Sequence, residues 1–121
     1  MGVRGARSLL SRPYLMEFGL LGDSGLRVSR LALGLAFRGQ TDEQVMEATV
    51  RRALDHGITF FDSANDYGRI PSDPYGGPSE RALGRAIAGC RDDVVITTKV
   101  GFELGPARAD PGGSRPHIMR E

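Results

Sequence analysis

The sequence predicts an α/β protein with parallel strands, on three observations. Short apolar or β-branched runs alternate with segments of helical periodicity in the order strand, helix, strand, helix, strand. Two of the runs end abruptly in a polar residue, Asp62 in ITFFD and Lys99 in VVITTK, as buried strands do at the carboxyl edge of a parallel sheet. The turn after the first strand carries no GxGxxG, which weakens the case for a dinucleotide-binding doubly wound sheet against the other fold that fits, the first part of a barrel.

Residues 1–15 carry Arg4, Arg7 and Arg12 without an acidic residue and show little periodicity. Their apolar part is too short for a secretory signal and lacks a small-residue cleavage pattern, so they are expected to be a disordered extension, with Met16 the natural start of a domain over 16–121. From Glu17, two short apolar segments flank Gly22, Asp23, Ser24 and Gly25, which predicts a β-hairpin. Leu31 to Leu35 forms the next strand, and Gly34 near its end leaves room for a ligand to approach.

Thr41 is expected to open the first helix, with Gln44 completing a capping box and Asp42 and Glu43 complementing the helix dipole. Val45, Met46, Thr49, Val50, Ala53 and Leu54 would form its buried stripe, and Gly57 would end it, with His56 near the carboxyl end in a capping role. Ile58 to Asp62 is the second strand of the parallel set. The following RIPSDPYGGPSE is a loop longer than the usual ~2–6 residues and is expected to shape a pocket. Pro78 and Ser79 start the second helix, which buries Ala82, Leu83, Ala86 and Ile87 and in which Gly84 is expected to allow close packing on the sheet. Val94 to Lys99 is the third strand, and Ser114 to Glu121 looks like the opening of a third helix.

Composition excludes several classes. A formal net charge of +1 gives no reason to expect nucleic acid as a partner, and no apolar run approaches the ~20 residues that cross a bilayer. Cys90 is the single cysteine, so there is no internal disulfide and no multi-cysteine zinc site; it reads as a packing residue in a protein of a reducing cytoplasm. Lys99 is the one lysine among 16 basic residues. Lysine differs from arginine in being a compact charge with a movable pKa, which singles out this strand end.

Asp62 ends one strand, Lys99 the next, and Tyr67 lies five residues beyond Asp62. Ends of adjacent parallel strands are neighbours, so the three can converge on one pocket floor. Their chemistry is complementary: a phenol, ordinarily of pKa ~10, becomes a better proton donor to a carbonyl oxygen beside an ammonium, and a carboxylate keeps that ammonium charged and oriented. The bland alternative is an ion pair that only fixes two strand ends.

The hairpin, the strand ending near Gly34, and the motifs FFDSANDYG, GPSERALGRAI and VVITTKVG together resemble the aldo-keto reductase superfamily from about Met16 onward. The resemblance implies the N-terminal part of a (β/α)₈ barrel whose hairpin plugs the amino-terminal mouth, with NADPH across the carboxyl-terminal face. It further implies reduction of small aldehydes or ketones, with Tyr67 as proton donor, Lys99 as modulator of its pKa, Asp62 as partner of Lys99, and Gly34 and Leu35 near the nicotinamide. The family's histidine follows a fourth strand that these residues do not reach, and His117 is expected to be structural. Most of the cofactor site and the rest of the barrel lie outside these residues, so the 121-residue polypeptide is expected to be inactive and poorly soluble alone. A non-catalytic barrel with a binding or regulatory role, as in channel-associated relatives, or an inactive gene fragment, is the alternative. Tyr75, in the long loop, is a second phenol that could reach the pocket from a lid.

Overall fold

The computed structural model describes residues 16–70, 76–101 and 112–119; the N-terminal extension 1–15, Tyr75 in the long loop and residues 102–111 lie outside the described residues. Strands β1 (Phe18–Leu20) and β2 (Arg27–Ser29) pair antiparallel with Phe18 opposite Ser29. Gly22 and Gly25 take φ of 54° and 75° in the turn, a conformation that costs glycine little, and the Leu21 amide donates to the Leu26 carbonyl at 2.9 Å to close it. Ser29 ties this hairpin to the rest of the molecule. Its hydroxyl donates to the Leu31 carbonyl at 2.6 Å and accepts from the Thr59 amide at 3.0 Å, which places the hairpin at the amino ends of the parallel strands.

Those strands are β3 (Ala32–Gly34), β4 (Phe60–Asp62) and β5 (Val95–Thr97), parallel and in sequential order β3-β4-β5. Each is shorter than its apolar run. The register aligns Ala32, Phe60 and Val95 in one row and Gly34, Asp62 and Thr97 in another. Alternation therefore sends Leu33, Phe61 and Ile96 to one face, where they meet the helices, and Gly34, Asp62 and Thr97 to the other.

Helix α1 (Glu43–Asp55) begins one residue later than the capping box implied. Asp42, not Thr41, is the cap: its carboxylate accepts from the Gln44 amide at 2.8 Å, and its own amide is held by the Gln40 side chain at 2.8 Å. The buried stripe is also narrower than expected, comprising Met46, Val50 and Ala53, while Val45 and Thr49 face solvent. The physical reason is that α1 is covered along one flank only, by the sheet and by α2 (Pro78–Ala86). His56 is the C-cap and Gly57, at φ 81°, turns the chain away.

In α2 the expected stripe is buried, and Pro78 occupies the first turn behind Gly77. Gly84 does not pack on the sheet: it is exposed, and a Cβ there would meet nothing within 4 Å. The two helices are laced by Glu43 to Arg81 (2.6 Å) and Arg85 (2.8 Å) and by Glu47 to Arg85 (2.9 Å), while Arg51 holds Glu47 from within α1 (2.8 Å). Beneath them Leu35, Val50, Phe61, Leu83, Ile87 and Val94 form the core, with Cys90 packed at its edge as expected. A short α3 (Arg115–Ile118) follows Ser114, whose hydroxyl accepts from the buried His117 amide at 3.3 Å. Among the described residues no helix is long and apolar enough to cross a membrane.

Sequential parallel strands with both crossover helices packed together are the opening units of a (β/α)₈ barrel, entered through a hairpin.

Candidate active site

The row Gly34, Asp62, Thr97 lies at the carboxyl ends of the three strands, and the backbone continues the pattern past it. The Ser63 amide donates to the Thr97 carbonyl at 2.8 Å and the Asn65 amide to the Lys99 carbonyl at 3.2 Å, so Lys99 is registered against the segment after β4 although it lies two residues beyond β5. This ladder fixes where the lysine starts its reach. Its Nζ donates to Asp62 Oδ2 at 2.7 Å and to the Ser63 carbonyl at 2.9 Å, and lies 4.7 Å from the centre of the Tyr67 ring. Thr97 completes the cluster from the adjacent row position, its hydroxyl donating to Asp62 Oδ1 at 2.6 Å.

Electrostatics follow from these contacts. The Lys99 ammonium, then the Thr97 hydroxyl, hold the Asp62 carboxyl below its ordinary value against a smaller opposing effect of burial. Lys99 is raised, chiefly by Asp62, with burial opposing and the Tyr67 phenol adding to the rise. Both groups are charged across the neutral range. The pair is not a buried one, since the side chains are 48% and 40% exposed, and its attraction is correspondingly screened.

Tyr67 is set by a turn in which its amide donates to the Ala64 carbonyl at 3.2 Å and its carbonyl accepts from the Ser79 amide at 3.3 Å. Gly68 makes that turn possible: at φ 76°, a Cβ would sit 3.2 Å from Met46 Cε. Below the turn runs a buried relay that residue types alone do not reveal. Ser79 Oγ donates to the Leu35 carbonyl at 2.9 Å and lies 2.9 Å from Ser63 Oγ, both serines being fully buried. Ser63 thus holds Lys99 through its carbonyl and the amino end of α2 through its hydroxyl. Glu80 of the same helix accepts from the Thr98 hydroxyl.

The structure therefore brings Asp62, Tyr67 and Lys99 together and adds Thr97 and Ser63, neither of which sequence reasoning selected. The signal was there in part, because TTK places a hydroxyl two residues before the lysine on the same face. Gly34 stands beside Asp62 with open space where its Cβ would be. Leu35, the next residue, turns its side chain into the core, where it is fully buried; its amide donates to the Asp62 carbonyl at 2.8 Å and its carbonyl accepts from the Ser79 hydroxyl. Alternation explains this, for if Gly34 faces the ligand side, Leu35 must face the helices. His117 lies in α3 and is buried.

Strands in this order, with polar groups gathered at their carboxyl ends, define the class as a barrel protein of the (β/α)₈ type. More specifically, the chain belongs to the Aldo/keto reductase family, which it matches over residues 30–121. It is 37% identical over 110 residues to L-glyceraldehyde 3-phosphate reductase of Escherichia coli (strain K12), covering 86% of this chain and 30% of that protein. It is 38% identical over 109 residues to a protein of Arabidopsis thaliana named "Probable voltage-gated potassium channel subunit beta", with 86% and 31% covered. Among solved structures, the holo form of an aldo-keto reductase from Bacillus halodurans superposes with a TM-score of 0.69 at 33% identity, over 87% of this chain and 33% of that one. The chain spans about a third of the length of the curated relatives it matches.

Proposed function

We propose that this chain furnishes the first units of an oxidoreductase barrel that reduces small aldehydes or ketones to alcohols at the expense of NADPH. The observation that carries the reading is the contact of the Lys99 ammonium with Asp62 at 2.7 Å and with the Tyr67 ring at 4.7 Å, at the carboxyl ends of the strands. In this reading Tyr67 is the catalytic acid. As the substrate oxygen gains electron density, the phenol gives up its proton, and the adjacent ammonium stabilises the phenolate left behind. Asp62 keeps Lys99 protonated and fixes its position, and Thr97 fixes Asp62. The open face at Gly34 fits a flat ring lying beside Asp62, and a reduced nicotinamide bound there would supply the hydride.

The closing test is Tyr67→Phe in the whole protein. It keeps the ring against Lys99 and removes only the hydroxyl, so NADPH binding measured by fluorescence titration should persist while aldehyde-dependent NADPH oxidation falls by about 10²-fold or more. Turnover equal to that of the unaltered protein would remove Tyr67 from the role.

A second reading is a barrel with a binding or regulatory role, favoured by the similarity to a protein named as a channel subunit. Sustained NADPH oxidation with an aldehyde separates the first reading from it.

A further inference from the structure

The consecutive threonines before Lys99 send their hydroxyls in opposite directions, as alternation along a strand end requires, and the proposed chemistry uses only the first. Thr97 donates to Asp62 Oδ1 at 2.6 Å, whereas Thr98 donates to Glu80 Oε1 in the first turn of α2. Thr98 and Glu80 line, with Ser63, one groove between α2 and β5. This bond and the residue whose carbonyl receives the Lys99 ammonium are therefore neighbours.

Glu80 differs from the other acids of the two helices in what it meets. Glu43 and Glu47 face arginines and lace α1 to α2, whereas Glu80 takes a neutral hydroxyl from a strand end. An acid in the first turn also complements the helix dipole, which is the bland account of Glu80. That account explains a negative charge at this end of α2 but not a bond across to the segment carrying Lys99. Position gives the bond its leverage. β5 ends at Thr97, so Thr98 and Lys99 lie past the strand, with the Lys99 carbonyl held by the Asn65 amide at 3.2 Å. Thr98 is the covalent neighbour of Lys99, and Ser79, the covalent neighbour of Glu80, holds the Tyr67 carbonyl through its amide at 3.3 Å. Two adjacent residues of one helical turn thus reach the segment of the acid on one side and the segment of its cationic neighbour on the other.

From this we infer that Glu80 is a positioning residue for the reduction: through the Thr98 hydroxyl it fixes the Lys99 segment to the same turn of α2 that fixes Tyr67, and so sets the separation of ammonium and phenol. The inference rests on the reading of Tyr67 and Lys99 given above. Glu80 touches neither substrate nor cofactor in this role and exchanges no proton with them; it acts by holding Thr98.

The test uses the whole protein. Glu80→Ala and Thr98→Val remove the bond from either end, while Glu80→Gln keeps an oxygen acceptor without the charge and Thr98→Ser keeps the hydroxyl. The first two should lower kcat for aldehyde reduction by about tenfold or more with KM and NADPH binding unchanged, because a displaced ammonium is missed in the transition state and not in the ground state. Glu80→Gln and Thr98→Ser should retain kcat. A loss in Glu80→Gln equal to that in Glu80→Ala would return Glu80 to the helix dipole and overturn the inference, as would a raised KM with kcat unchanged. A second readout is independent of turnover. The ε-methylene resonance of Lys99, assigned by its absence in Lys99→Met, should carry a ring-current shift from the Tyr67 ring, whose centre lies 4.7 Å from Nζ. Glu80→Ala and Thr98→Val should move it toward the position of a solvated lysine, and Glu80→Gln should not. A moved resonance supports the positioning role even if Tyr67→Phe retains turnover, and an unmoved one in Glu80→Ala overturns it even if Tyr67→Phe is inactive.

Discussion

Replacing Lys99 by methionine separates what the lysine does for the fold from what it does for the chemistry. The substitution keeps the length of the stem and removes the ammonium, breaking the 2.7 Å contact with Asp62, the 2.9 Å bond to the Ser63 carbonyl and the contact with the Tyr67 ring. For stability the loss is moderate. The side chains of Lys99 and Asp62 are 48% and 40% exposed, so the carboxylate left behind is rehydrated, and an exposed pair contributes about 0.2–1 kcal/mol. An exposed cation over an aromatic ring adds about 0.5–1 kcal/mol, and the lost hydrogen bond to the carbonyl of the buried Ser63 about 1 kcal/mol, which caps the whole effect near ~3 kcal/mol. For catalysis the loss is large, because a positioned charge beside a proton donor acts as that donor ionises, and such assistance is worth about 10²–10⁴-fold. Urea unfolding and kcat/KM for aldehyde reduction, measured on the same preparation, give the two numbers. Equal kcat/KM in Lys99→Met would refute the assignment of Lys99. A stability loss well above ~3 kcal/mol would refute the claim that the pair is solvent-screened.

Two further predictions concern the supports of the cluster and its pH range. Ser79→Ala strands two fully buried acceptors or donors, the Leu35 carbonyl and the Ser63 hydroxyl, and should lower stability by about 1–3 kcal/mol in urea unfolding; a change near zero would show that the relay carries no weight. Asp62, Glu43 and Glu47 all have carboxyls held below their ordinary values, each by a hydrogen bond from a cation. The unfolded chain therefore binds more protons below pH 4.5, so stability is present above that range and is lost as the pH falls through the folded values, while the raised Lys99 contributes below 10.5 and is lost as the pH rises above it. A urea midpoint that stays flat from about pH 5 down to about pH 3 would contradict this.

Legibility in the sequence differed by residue for physical reasons. Asp62 was readable because an apolar run tolerates a carboxylate only where it emerges from the sheet, and Lys99 because it stands alone in an arginine-rich chain. The serine relay was not, since a serine in DSA or PSE suits a turn, a cap or a core bond equally, and the sheet register decides. Thr41 and Asp42 are both good caps; the Gln40 side chain, bound to the Asp42 amide, favours the second. Val45 and Thr49 have apolar character at helical spacing, yet burial requires a neighbour on that flank, which periodicity does not report. The opposite orientations of Gly34 and Leu35 follow from alternation alone, since successive residues along a strand point to opposite faces.

Ser63 gives this arrangement its mechanical logic. Its amide is part of the ladder to Thr97, its carbonyl accepts from Lys99, and its hydroxyl meets Ser79 at the start of α2. Every degree of freedom that would let the lysine drift is thereby tied to backbone or to a fully buried group, although the lysine itself is half exposed. A screened ion pair alone would be a poor positioning device, because long side chains on a wet surface sample several geometries for little energy. Anchoring the ammonium to a carbonyl that is itself fixed from below restores the precision that proximity to Tyr67 requires. The start of α2, which also receives the Tyr67 carbonyl through the Ser79 amide, is therefore common to the acid and to its cationic neighbour, and a shift of that helix end displaces both at once.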